Sequence, residues 1–162
     1  MLGRLWNSGW RFGGVALVII ALDQWSKALV IQSLPVYGFK PVWSWFAWTH
    51  LHNTGASFSL LADASGWQQP LFLGLALVIS AFIAVTLTRI PATQGVLAVA
   101  LALILGGALG NAFDRWQLGY VVDFISVHWA NWFFPAFNVA DSAITVGAVL
   151  MFVDALSNQE RS

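Results

Sequence analysis

Two acids in this sequence stand where a carboxylate is costly. Asp123 lies in Tyr-Val-Val-Asp-Phe-Ile-Ser-Val with apolar flanks and no adjacent cation, a setting in which desolvation raises a carboxyl's pKa. Asp141 lies in Phe-Asn-Val-Ala-Asp-Ser-Ala, three residues after Asn138, which is the spacing of a helix N-cap and its N3 carboxylate. Taken alone, Asp141 reads as half of a capping box at a helix start that favours negative charge. Taken together, the two acids allow acid–base chemistry. Carboxylates that share a site do not both ionise easily, so one keeps its proton and the pair offers a general acid and a general base to one water. On an unbroken helix, residues 123 and 141 would stand about 27 Å apart. The chain therefore has to turn between them, and Asn131 and Pro135, set among Trp132, Phe133, Phe134 and Phe137, offer a turn at a membrane surface.

Other polar residues fall into two groups. Asp23 and Lys27 are four apart on one helix face and read as a structural ion pair that neutralises both charges. Asn111, Asp114 and Arg115 come in or just after the last turn of another apolar segment, where Arg115 can cap helix carbonyls, pair with Asp114, or orient carboxylates and substrate carbonyls. His50 and His52 alternate along an expected strand and so share a face, but His128 is remote and no HExxH helix exists, so they read as surface or interfacial residues rather than zinc ligands. Neither a Gly-x-Ser-x-Gly elbow nor a phosphate-binding loop is present, and the chain has no cysteine.

The elements that must position these residues are those of a membrane protein. Of the 162 residues, 59% are apolar and 9% charged, against about a quarter charged in soluble domains. Four spans are expected at about 12–32, 69–88, 95–113 and 138–156, each long enough to cross about 30 Å of hydrocarbon. The first follows Arg4 and Arg11 and lacks a small-x-small cleavage pattern, so it reads as a retained helix. Segment 34–67, broken by Pro35, Gly38, Pro41, Gly55 and Gly66, is expected to form short strands and loops, and 114–137 a short helix or loop. The whole is one all-α transmembrane four-helix bundle with a small β/loop cradle outside the membrane. Arg4, Arg11, Arg89 and Arg161 mark the cytoplasmic side, while Trp43, Trp45, Trp48, Trp67, Trp116, Trp129 and Trp132 form an aromatic belt on the other. Gly106 and Gly110, in GxxxG spacing, and Gly107 thin one helix for close packing, and small residues there are expected to leave room for a substrate helix. No charge run recommends nucleic acid as a partner.

The blocks Asp23-Gln24-x-x-Lys27, Asn53-Thr54-Gly55-Ala56-Ser57-Phe58-Ser59, Gly106-Gly107-Ala108-Leu109-Gly110-Asn111-x-x-Asp114-Arg115, Val122-Asp123-Phe124-Ile125 and Phe137-Asn138-Val139-Ala140-Asp141-Ser142 resemble those of the lipoprotein signal peptidases, or signal peptidase II. Ser57 stands where alanine is common in that family. The resemblance implies an aspartic endopeptidase of the bacterial inner membrane, with both termini cytoplasmic and the site toward the periplasm. It removes signal peptides from diacylglyceryl-modified prolipoproteins, before the lipidated cysteine. The family's catalytic dyad falls on Asp123 and Asp141 and its substrate-binding residues on Asn53, Gly55, Asn111, Arg115 and Asn138, while Asp23, Lys27 and Asp114 are structural. Its cradle falls at about Trp43 to Ser59 and its mobile periplasmic helix within Arg115 to Trp132. Neither cofactor nor metal is implied, and the expected partners of a monomer are the precursor and membrane lipid. A non-enzymatic membrane subunit, and a protease cutting inside the bilayer with both acids at depth, are the rival readings.

Overall fold

The computed structural model describes residues 6–55, 66–130 and 132–159. Arg4, Ala56 to Ser59, Asn131 and Arg161, named above for orientation, the cradle motif or the turn, lie outside the described residues. Four helices are long and apolar enough to cross a membrane among those described. They are α1 (Gly13–Ser33), entered through a 3-10 turn at Gly9–Phe12, α2 (Gln68–Arg89), α3 (Gly95–Leu118) and α4 (Val139–Gln159). Large apolar side chains such as Leu17, Val78, Phe82, Val149 and Phe152 are exposed, as expected where lipid rather than protein covers a surface.

Helix α3 is the centre of the bundle. It packs against each of the other three helices, and 61% of its apolar window is buried against 17% in each of the others. Its glycines make this possible. A Cβ on Gly106 would stand 2.8 Å from the Ala16 carbonyl oxygen of α1, and one on Gly107 would stand 2.3 Å from the Ala140 carbonyl oxygen of α4. Both glycine faces are therefore filled by neighbouring helices, so these residues do not hold space for a substrate helix as expected. Substituting Gly107→Ala is expected to push α3 and α4 apart at a cost of about 1–3 kcal/mol, the usual range for overpacking. Gly14→Ala is the control, because nothing lies within 4 Å of its would-be Cβ. Thermal unfolding in detergent should show a lowered midpoint for the first variant only.

The connections at one end of the bundle form a single sheet. Strands β1 (Phe39–Trp43) and β2 (Phe46–Asn53) follow α1, β3 (Val121–Trp129) and β4 (Trp132–Phe133) follow α3, and the order is β1-β2-β3-β4, all antiparallel. Two expectations need correction here. Helix α3 runs on to Leu118, where Gly119 at φ 80 returns its N–H to the Arg115 carbonyl, so Asp114 and Arg115 are helical residues. The stretch beyond it is neither helix nor loop but β3, whose β-branched and aromatic residues complete the sheet begun by β2. Arg89 is the last residue of α2. All seven tryptophans of the two outer segments are exposed.

At the opposite end, the Gly9 N–H donates to the Ile90 carbonyl and the Ala92 N–H to that of Asn7, which ties the entry of α1 to the α2–α3 turn.

Candidate active site

The turn between the two acids is a hairpin. Strand β3 reverses at Ala130, which has the left-handed φ of 51 that tight hairpin loops require. Pairing of Trp129 with Trp132 and of His128 with Phe133 follows. The returning chain stays beside β3 as far as Phe137, whose carbonyl accepts the Phe124 and Ile125 amides at 3.1 and 2.8 Å. Asn138 is thereby delivered next to Asp123, and α4 starts one residue later.

Asn138 is fully buried and joins both acids. Its Nδ2 donates to Asp123 Oδ1 at 2.8 Å, and its backbone N–H to Asp141 Oδ2 at 3.3 Å. Its Oδ1 accepts the Asp141 N–H at 2.9 Å, so Asn138 and Asp141 form a reciprocal capping box and Asp141 also faces Asp123. The capping and pairing readings of Asp141 are compatible. Asn53, at the end of β2, donates to Asp123 Oδ2 at 2.9 Å. Asn111 on α3 donates to Asp141 Oδ1 at 2.8 Å. Three of the expected site residues, Asn53, Asn111 and Asn138, thus surround two carboxylates with amide donors. Burial first, and then the negative charge of Asp141, push the Asp123 carboxyl up to about 7 against the pull of the Asn53 and Asn138 donors.

Arg115 combines the expected bond to a helix carbonyl with one to the cradle. Its Nη2 donates to the Gly55 carbonyl at 3.0 Å and its Nη1 to that of Asn111 at 3.4 Å, while its guanidinium lies 5.4 Å from the centre of the Phe72 ring. It therefore braces the end of the cradle against α3. Asp114 pairs instead with Lys27 Nζ at 2.8 Å, which also holds Asp23 at 2.7 Å. Gln24, to which the sequence reading gave no role, bonds Asp23 Oδ2, Asp114 Oδ1 and the Gly110 carbonyl. Its signal was position, one residue after a buried acid on the same helix.

His50 is buried, not a surface residue. Its Nδ1 lies 2.9 Å from the Leu34 carbonyl and its Nε2 3.3 Å from that of His52, whose ring stacks on Tyr120 at 3.7 Å. Burial and then His50 hold His52 below the usual histidine range.

Two openings meet at the acids. A groove of about 590 Å³ has α3 as its floor at Ala108, Asn111 and Arg115, with Leu75 and Ile79 of α2 on one wall and Asp141 and Ile144 of α4 on the other. A hollow of about 610 Å³ over the sheet is lined by Phe39, Thr49, Leu51 and Asp123. Asn53 and the Phe134–Ala136 stretch line both.

A four-span helical bundle with an extramembrane sheet and two carboxylates meeting where they join is the architecture of a polytopic membrane enzyme. The sequence pattern described as Signal peptidase (SPase) II matches residues 15–157, and the chain belongs to that family. It is 48% identical to the lipoprotein signal peptidase of Pseudomonas fluorescens strain Pf-5 over 160 residues, covering 98% of this chain and 93% of the relative. It is 53% identical to that of Pseudomonas paraeruginosa over 148 residues, with 90% and 88% covered, and 50% identical to that of Acinetobacter baylyi over 141 residues, with 87% and 79% covered. Among solved structures it is similar to a bacterial membrane enzyme determined at 2.3 Å, with TM-score 0.81 and 27% identity over 91% of this chain and 88% of the other. The chain is accordingly a bacterial multi-pass membrane protease of lipoprotein processing, a signal peptidase.

Proposed function

We propose that this signal peptidase is an aspartic endopeptidase whose dyad is Asp123 and Asp141, and that it cuts diacylglyceryl-modified prolipoproteins immediately before the lipidated cysteine. The observation that carries the reading is the donation of Asn138 to both carboxylates. One carboxylate takes a proton from water while the protonated other polarises the scissile carbonyl, and the departing amine of the cysteine then receives a proton. Asp123, held up to about 7, is the proton carrier near neutrality. Asp141, at the positive end of α4 and bonded by Asn111, serves as the base.

Asn53, Gly55, Asn111, Arg115 and Asn138 position the substrate backbone and the dyad. The groove between α2 and α4 suits the apolar signal segment, and the hollow over the sheet suits the chain leaving toward the mature protein. Arg11 and Arg89 lie at the end opposite the sheet and its tryptophans, which supports cytoplasmic termini and a periplasmic site. The rival with both acids deep on spanning helices is disfavoured by the location of Asp123 on β3.

The test is cleavage by the purified protein of a diacylglyceryl-modified precursor and of the same precursor without lipid, in the presence of a chelator. Cleavage of the lipidated form alone is expected; failure to cut it sinks the reading. In that assay kcat/KM should fall above about pH 7, because loss of the Asp123 proton leaves two carboxylates and no acid to polarise the carbonyl. A rate that keeps rising with pH through 8 and 9 would contradict the assignment.

A further inference from the structure

Asp23, Lys27 and Asp114 are buried and line neither the groove nor the hollow, so they do not meet the substrate there. Their hydrogen bonds nevertheless end beside both members of the dyad. Asp114 Oδ2 accepts the Val122 N–H at 3.1 Å, one residue before Asp123. Asp23 Oδ1 accepts the Ala140 N–H at 2.9 Å, one residue before Asp141. Lys27 Nζ lies between the two acids, and it also donates to Asn111 Oδ1 at 2.9 Å. With that oxygen occupied by a cation, the Asn111 NH2 is left to face Asp141 at 2.8 Å. An ammonium has three donors, and these partners use all of them.

We infer that Asp23, Lys27 and Asp114 are a positioning frame for the dyad, fixing the backbone immediately before each catalytic acid and the orientation of the amide that holds the second. This rests on the dyad reading above. A buried ion pair contributes little net stability, since desolvation offsets attraction. An i,i+4 pair between Asp23 and Lys27 would suffice to neutralise α1. What the third member and the two amide bonds add is geometry: α1 and α3 grip β3 and α4 at corresponding points, from the side of the dyad away from the groove. Gly110 belongs to the same arrangement, because a Cβ there would stand 2.8 Å from Asp23 Oδ2 and displace the carboxylate from the Ala140 amide. Gln24 also links the two acids, at 3.2 Å from Asp23 Oδ2 and 2.8 Å from Asp114 Oδ1.

The test compares Asp114→Ala with Asp114→Asn, using purified enzyme and the lipidated precursor, with rates expressed per folded molecule. The alanine variant has no acceptor for the Val122 amide, so kcat should fall on the order of 10- to 100-fold, as for reacting groups displaced by about 1 Å, with KM nearly unchanged. The asparagine variant keeps an acceptor and should recover most of the rate. Gly110→Ala, which disturbs the other arm without changing charge, should lower kcat with KM unchanged, and it decides the matter should Asp114→Ala not fold. A purely structural role would change only the folded yield. Wild-type kcat per folded molecule in Gly110→Ala, or an Asp114→Asn rate no better than Asp114→Ala, overturns the frame. Asp123→Asn is measured alongside: activity in that variant removes the dyad itself, whereas an inert Asp123→Asn with normal turnover in the frame variants removes only the frame.

Discussion

Asp123→Asn and Asp141→Asn are each expected to lower the rate of precursor cleavage by about 10⁴-fold, the upper end of what one acid–base group supplies, because each carboxylate handles a proton both before and after the tetrahedral intermediate. Gel-shift assay of the lipidated precursor reads this directly, and full activity in either variant would eliminate the dyad. The same variants should remain folded. Asp123 has a pKa of about 7 in the fold against 3.8 as its ordinary value. The folded protein therefore binds more protons than the unfolded chain between these values, and stability falls as pH rises through that window. Removing the charge removes that cost, so Asp123→Asn should unfold at or above the wild-type temperature at pH 8. Loss of activity with no loss of stability distinguishes a working acid from a structural one.

The acids and the need for a turn were legible because each rests on a local signal. Apolar flanks mark Asp123, the Asn-x-x-Asp spacing marks a helix start at Asp141, and uncharged stretches mark the spans. The means of turning was less legible. Residues 121–129 are a strand because β2 lies alongside to pair with them, and β2 is some 70 positions away in sequence; propensity alone cannot supply such a partner. The same holds for Lys27, whose second acid comes from α3, and for the buried His50, whose Nδ1 meets the Leu34 carbonyl at the end of α1. The glycines of α3 were legible as a packing surface but not as to which helix fills it, since small residues suit a neighbour and a substrate equally well. Family blocks named candidate site residues without saying which of them touch each other. Arg115 braces Gly55 rather than pairing with the adjacent Asp114 because the fold brings together residues 60 positions apart.

Asn138 performs two tasks that substitution should separate. Its Oδ1 caps α4 through the Asp141 N–H, and its Nδ2 reaches Asp123 Oδ1, Asn111 Oδ1 and the Val122 carbonyl at 2.8, 3.2 and 3.3 Å. Asn138→Ala removes both tasks. The lost cap costs about 1 kcal/mol, and leaving Asp123 without one of its two amide donors in a buried site adds a further cost of about 1–3 kcal/mol. Asn138→Ser restores the cap, because a serine hydroxyl accepts the same N–H, but its side chain is too short to reach Asp123. Thermal unfolding should therefore rank wild type above Ser and Ser above Ala. Cleavage should not follow that ranking: both variants are expected to lose about 100-fold in kcat, the loss that follows when a reacting group is displaced by about 1 Å. If the serine variant instead recovers activity in step with stability, Asn138 acts on cleavage through the start of α4 alone and its bond to Asp123 is dispensable. If activity stays low while stability returns, the amide between the two acids is what holds them in working geometry.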